Sequence, residues 1–282
     1  MHKTGTTALQ RFFRINADHL SCSGYLYPSA GRGIHRGQHL LAHGIEDTPS
    51  LLAEWEDVYR EADRSLCQNL ILSPEDFEFR RDDRFQQKGQ MTGQKCGWFE
   101  TKIVVYLRRQ DQFAQSAYLK NPRISGLTGS VLDFIAINRT KFDYYRFLEP
   151  WRECFGRQNI LVRVYEEARS SGGLFADFVN SVGLSRDTDW RIPEGRINSS
   201  VPPGSGGTLQ LLNQLPITDR IRRRLIGRLL RSDDSERPGL WCHRLISTSD
   251  RTAILQQFEI SNQRVALEYL GRSDGKLFKS GP

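Results

Sequence analysis

Two β-branched runs constrain the fold more than any other part of the chain: Ile103-Val104-Val105-Tyr106-Leu107 and Ile160-Leu161-Val162-Arg163-Val164-Tyr165. Short continuous apolar runs of this kind form strands covered on both faces. Cys67 to Leu72, closed by Ser73-Pro74, reads as another. Helical periodicity fills the intervals, over Phe113–Leu119, Leu132–Ile137, Tyr144–Phe155 and Leu174–Val182, the last stopped by Gly183. Strands alternating with helices require parallel pairing through right-handed crossovers. The expectation is an α/β fold, a central parallel sheet with helices on both faces.

The remaining segments fit round that sheet. Gly24 to Pro28 reads as a short extended piece, and Leu40 to Gly44 as a short helix in the segment that carries His39 and His43. Ser50 is a suitable N-cap for a helix through about Ala62, with Leu51, Leu52, Trp55 and Val58 on one face. Residues 80–97 read as loop, and Arg186 to Gly207, with Pro193, Pro202 and Pro203, as a long functional loop. Thr218–Arg231 reads as a helix with Ile221, Leu225 and Leu229 on its buried stripe and arginines on a solvated face. A last helix is expected over Arg251–Leu270, with Ser249 as N-cap and Gly271 as its stop. We read one domain, 1–282, with a helical C-terminal part over about 206–271.

The bulk properties exclude several function classes. The 282 residues carry 40 Lys+Arg against 33 Asp+Glu, a net charge of +7 that suits anionic ligands. No nucleic-acid-reading motif accompanies that charge, so nucleic acid is not the expected partner. The sequence has no long apolar run for a membrane span and no signal segment, so a cytoplasmic protein is expected. Five scattered cysteines (Cys22, Cys67, Cys96, Cys154, Cys242) without a CxxC pair argue against a zinc site or disulfide framework.

Three stretches carry chemistry. Lys3-Thr4-Gly5-Thr6-Thr7 runs into Ala8, Leu9, Phe12 and Phe13 at helical spacing. Orphan N–H groups and a positive dipole end, beside a lysine and hydroxyls, make an anion cradle there, though a plain capped helix start fits the five residues equally. The lysine precedes the glycine, the reverse of a nucleotide-triphosphate loop. Next, Arg108 follows the strand 103–107, with Ser116 eight residues on in the following helix. An arginine beyond a strand's carboxyl end faces the ligand crevice and can fork onto a phosphate. A kinase would want a carboxylate there for magnesium; this strand ends in two cations, Arg108 and Arg109. Last, Val164-Tyr165-Glu166-Glu167 closes the strand from Ile160, and Tyr165 suits stacking on a base or packing on the core.

Together these stretches resemble the sulfotransferases that use 3′-phosphoadenosine 5′-phosphosulfate, most nearly the bacterial carbohydrate type. Arg196-Ile197-Asn198-Ser199-Ser200 is similar to that group's loop over the donor, and Phe258 to Leu270 with Leu277-Phe278 to its C-terminal helix and tail. The resemblance implies a three-layer, P-loop NTPase-like parallel sheet and a metal-free sulfuryl transfer to a hydroxyl of a carbohydrate or lipid-linked sugar. It implies Lys3 at the bridging oxygen of the donor, with Thr4, Gly5, Thr6 and Thr7 on the 5′-phosphosulfate. Arg108 and Ser116 would then hold the 3′-phosphate and Tyr165 the adenine. For the base, Glu75 after Ser73-Pro74 is favoured, with His39 and His43 as rivals and a helix-start carboxylate as its other reading; His19 and His243 suit ordinary surfaces. The family has an apolar strand ahead of this loop, where only Met1 and His2 stand, so the sheet is expected to lack a central member. That departure motivates an alternative, a catalytically impaired nucleotide-binding protein. A nucleotide kinase, which would bind ATP with magnesium, is a third option.

Overall fold

In the computed structural model the described residues are 4–32, 37–42, 49–74, 94–97, 99–120, 130–185, 189–193 and 246–279, together with 218, 221 and 224. Lys3, His43, Glu75, residues 80–93, the stretch 194–207 and most of the arginine-rich segment 218–231 lie outside them.

The chain opens with helices α1 (Thr6–Ile15) and α2 (Ala17–Cys22), then strand β1 (Tyr25–Leu26). A 3-10 turn at His39–Ala42 precedes α3 (Pro49–Arg64) and β2 (Asn69–Leu70). Proline opens α3 because its fixed φ suits a first helical position, so the helix starts one residue before Ser50. Strand β3 (Ile103–Leu107) leads through α4 (Gln110–Lys120), α5 (Val131–Ile137), α6 (Arg139–Phe142) and α7 (Tyr144–Phe155) to β4 (Ile160–Val164). Then come α8 (Tyr165–Ser170), α9 (Leu174–Ser181), α10 (Thr248–Gln257) and α11 (Glu259–Leu270).

Both strand pairs are parallel: β1 on β2, with Tyr25 opposite Asn69, and β3 on β4, from Ile103 opposite Ile160 to Leu107 opposite Val164. Helical crossovers lie between the partners in each case, as parallel pairing requires. The fold is therefore mixed α/β, with helices and short parallel strands. The two pairs are separate among the described residues, and a cavity of about 850 Å³ lies between β2 and β3.

Period-two alternation along β3 distributes its side chains to two cores. Val105 and Leu107 pack with Ile160, Val162 and Val164, with Tyr144, Leu148 and Trp151 of α7, and with Val265 of α11. Tyr106 turns the other way, into Leu9, Phe12 and Phe13 of α1 and Phe178 and Val179 of α9. Phe12 and Phe13 are almost wholly buried, each worth about 1.5–3 kcal/mol in area removed from water. An aromatic knot of Phe113, Phe134, Phe142 and Phe258 ties α4, α5, α6 and α10 together.

Three expectations need correction. Cys67–Leu72 pairs only over Asn69–Leu70. Tyr165 is the first residue of α8, not the last of a strand. The last helix is two: α10 and α11 meet at Phe258, whose φ of −111° breaks the helical path. Its N-cap is Ser247, in a reciprocal capping box with Asp250, not Ser249; Gly271 is the stop expected, at φ 62°. The four described cysteines are free thiols, Cys96 buried and Cys22 exposed.

Candidate anion-binding site

Gly5 makes the turn into α1 with φ 82°, a left-handed value that a side chain would resist. Its carbonyl accepts the N–H groups of Ala8 (2.9 Å) and Leu9 (3.0 Å), which starts the helix. The first turn of α1 has no acidic residue and Gly5 no side-chain cap, so the helix brings no carboxylate of its own to its positive end. Thr4 is buried and Thr6 and Thr7 are half-buried. A Cβ on Gly5 would lie 3.5 Å from Tyr165 Cε2, so the loop and the start of α8 are in contact distance.

Arg108 approaches from the end of β3. Its guanidinium stands 5.5 Å from the centre of the Tyr165 ring, and Arg169 of α8 stands 5.9 Å from the same ring. The neighbouring Arg109 goes elsewhere: it forks onto Asp111 through Nε (3.0 Å) and Nη2 (2.9 Å), and Arg251 of α10 adds a 3.1 Å bond to the same buried carboxylate. Arg109 is thus a structural residue and Arg108 the one aimed at the site. The structure brings Gly5, Arg108 and Tyr165 to one place from three distant parts of the sequence. Ser116 lies farther along α4, half-buried, about 9 Å of helix rise beyond Gln110.

Glu166 was not singled out by the sequence. Its Oε1 lies 3.9 Å from Arg108 Nε and accepts the Arg109 backbone N–H at 3.2 Å. Burial raises its carboxyl above the ordinary glutamate range, against the opposing pull of backbone N–H hydrogen bonds and of the Arg108 and Arg109 charges. The Tyr-Glu-Glu run after an apolar strand was the available signal, yet only folding places Glu166 against Arg108. Glu167 faces the other way, held by Arg272 (2.6 Å) and Lys279 (3.8 Å) of the C-terminal segment.

A buried amide network positions the segment that leads to Glu75. Gln10 of α1 donates to Ser73 O (2.7 Å), and the Ser73 N–H donates to Gln38 Oε1 (2.7 Å). Gln38 precedes the 3-10 turn that begins at His39, a half-buried residue. The strand exit before Glu75 and the His39 turn are therefore both tied to the helix that begins at Gly5.

Comparison with known proteins adds little chemistry. No family model and no solved structure matches the chain. An uncharacterized protein of Archaeoglobus fulgidus is 30% identical over 178 residues, 61% of this chain. The match spans 46% of that relative's length, so the chain corresponds to about half of it.

Proposed function

We propose that the chain is a sulfotransferase that binds 3′-phosphoadenosine 5′-phosphosulfate and moves its sulfuryl group to a hydroxyl of a carbohydrate or glycolipid. The observation that carries this reading is the meeting of the Gly5 loop, Arg108 and Tyr165, which puts a helix N-terminus and a guanidinium beside one aromatic ring. The Thr4–Thr7 loop and Lys3 bind the phosphosulfate; Lys3 steadies the bridging oxygen as charge develops on it. Arg108, with Ser116, takes the 3′-phosphate, and Tyr165 stacks on the adenine. Glu75, or else His39 or His43, accepts the acceptor's proton. No metal is required, because the terminal sulfuryl carries less charge than a γ-phosphoryl and the protein's cations suffice. The fold proposed to go with this is a three-layer P-loop-like sheet in a cytoplasmic protein.

Calorimetric titration with 3′-phosphoadenosine 5′-phosphate tests the site. Arg108→Ala should lose about 1.5–3 kcal/mol of binding, roughly 10- to 150-fold, with its circular dichroism unchanged. Equal affinity in the variant would count against the reading. Transfer of labelled sulfate to sugar acceptors then tests turnover, and magnesium-dependent ATP binding in the same calorimeter would favour a kinase instead. The open cavity between β2 and β3 favours a second reading, donor binding without turnover, which predicts nucleotide affinity and no transfer.

A further inference from the structure

The two carboxylate oxygens of Glu166 stand in unequal surroundings. Oε1 accepts the Arg109 backbone N–H at 3.2 Å and lies 3.9 Å from Arg108 Nε. Oε2 is buried and meets no hydrogen-bond partner among the described residues. A buried carboxylate oxygen without a donor disfavours the ionised form. That burial prevails over the backbone N–H bonds and over the charges of Arg108 and Arg109, so the carboxyl sits above the ordinary glutamate range. The other charges nearby are committed elsewhere. Arg109 forks onto Asp111, which Arg251 shares. Glu167 turns to Arg272 and Lys279, and Arg169 stands 5.9 Å from the centre of the Tyr165 ring. Arg108 is therefore the cation that an ionised Glu166 faces most directly, and the two side chains are only 20% and 23% exposed. Salt and water screen a pair so placed much less than one at the surface.

An oxyanion arriving at the same guanidinium disturbs that pair. It draws on the positive charge that favours ionised Glu166 and sets a second negative charge beside it. Two anions so placed do not both stay ionised cheaply, and the group that burial already favours in its acid form gives way first. We propose that Glu166 is a proton-linked positioning residue of the anion site: ionised, it holds the Arg108 guanidinium beside Tyr165, and it takes one proton from water as a ligand phosphate seats on Arg108. Oε2 carries that proton, since Oε1 remains the acceptor for the Arg109 N–H. This deepens the reading of Arg108 as a phosphate ligand and rests on it. The linkage has a definite sign. Anion affinity rises as pH falls through the window between the Glu166 pKa in the free protein and its higher value in the complex. Above that window Glu166 is ionised in both states; below it the group is protonated in both, and affinity levels off.

The test is calorimetric titration of the full chain with 3′-phosphoadenosine 5′-phosphate, in buffers of differing ionisation enthalpy, from about pH 5 to about pH 8. Glu166→Gln keeps an oxygen for the Arg109 N–H but cannot take the proton, so titration of the ligand's own phosphates cancels in the comparison. The native chain should take up more protons on binding than Glu166→Gln does. The ratio of their affinities should shift roughly tenfold across that range, the equivalent of a ligand-induced change of about one pKa unit. Adenosine 5′-phosphate, which lacks the 3′-phosphate, should show neither difference. Equal proton uptake with parallel affinity profiles would overturn the inference. So would a loss of affinity in Glu166→Gln that is the same at every pH, which marks a purely structural role. Weakened binding in Arg108→Ala alongside either result removes this inference alone and leaves Arg108 a phosphate ligand. Full affinity in Arg108→Ala, or no nucleotide binding by the native chain, would instead remove the phosphate-ligand reading and this inference with it.

Discussion

At Gly5 the backbone sits at φ 82° and an added Cβ would come within 2.3 Å of Leu174 Cδ2. Gly5→Ala therefore meets two separate penalties: a left-handed backbone costing about 1–2 kcal/mol and a clash with a packed leucine of similar size. Urea unfolding should show a loss of roughly 2–4 kcal/mol, with anion binding reduced in whatever folded fraction remains. Glu166 gives a pH signature of opposite kind to a stabilising salt bridge. Its folded pKa is raised, so the folded state favours the protonated acid. That contribution is fully present below the unfolded pKa and is lost as pH rises through the folded one. Glu166→Gln should therefore gain stability relative to the native chain toward neutral pH, and the gap should close in acid; a gap that widened in acid would show that Arg108 outweighs burial.

Between elements, Asp177 of α9 is the polar joint. Tyr106 of β3 donates to its Oδ2 at 2.8 Å and Arg163 Nε of β4 donates to the same atom at 3.0 Å. Asp177→Ala removes the carboxylate that accepts from a buried tyrosine hydroxyl, while Arg163, 42% exposed, can turn to water. A loss of about 1–3 kcal/mol in denaturant midpoint is expected, most of it recovered in the double variant with Tyr106→Phe. The capping box at Ser247 is a smaller joint: Ser247→Ala should cost about 1 kcal/mol by the same measurement. Where local chemistry sufficed, the elements were legible in the sequence. β3 matches the expected Ile103–Leu107, and α7 matches Tyr144–Phe155, because one carries β-branched continuity and the other an apolar stripe. The break at Phe258 was not legible, since no proline or glycine marks it; the phenylalanine leaves the helical path to join the aromatic knot with Phe142. β2 was overread for a related reason. An apolar run reports burial, whereas pairing needs a neighbour of matching length, and β1 offers only Tyr25–Leu26. At the site, Arg108 and Tyr165 could be picked out by their places at strand ends. The choice of Arg108 over Arg109, and the part played by Glu166, depend on Asp111 and Arg251 arriving from elsewhere.

Over the whole molecule, the net charge of +7 should attract anionic ligands at long range, so nucleotide affinity should fall as salt rises from 50 to 300 mM, a span over which the screening length drops from about 14 to about 6 Å. The segment after α11 works at this scale too. Leu277 is buried in the core that holds β3, β4 and α7, and Arg272 and Lys279 both reach Glu167, two residues from Tyr165. Truncation that takes Lys279 should thus be mild and truncation that also takes Leu277 severe. Its effect should also be felt far from the cut, as loosened seating of the Tyr165 ring against the opening loop.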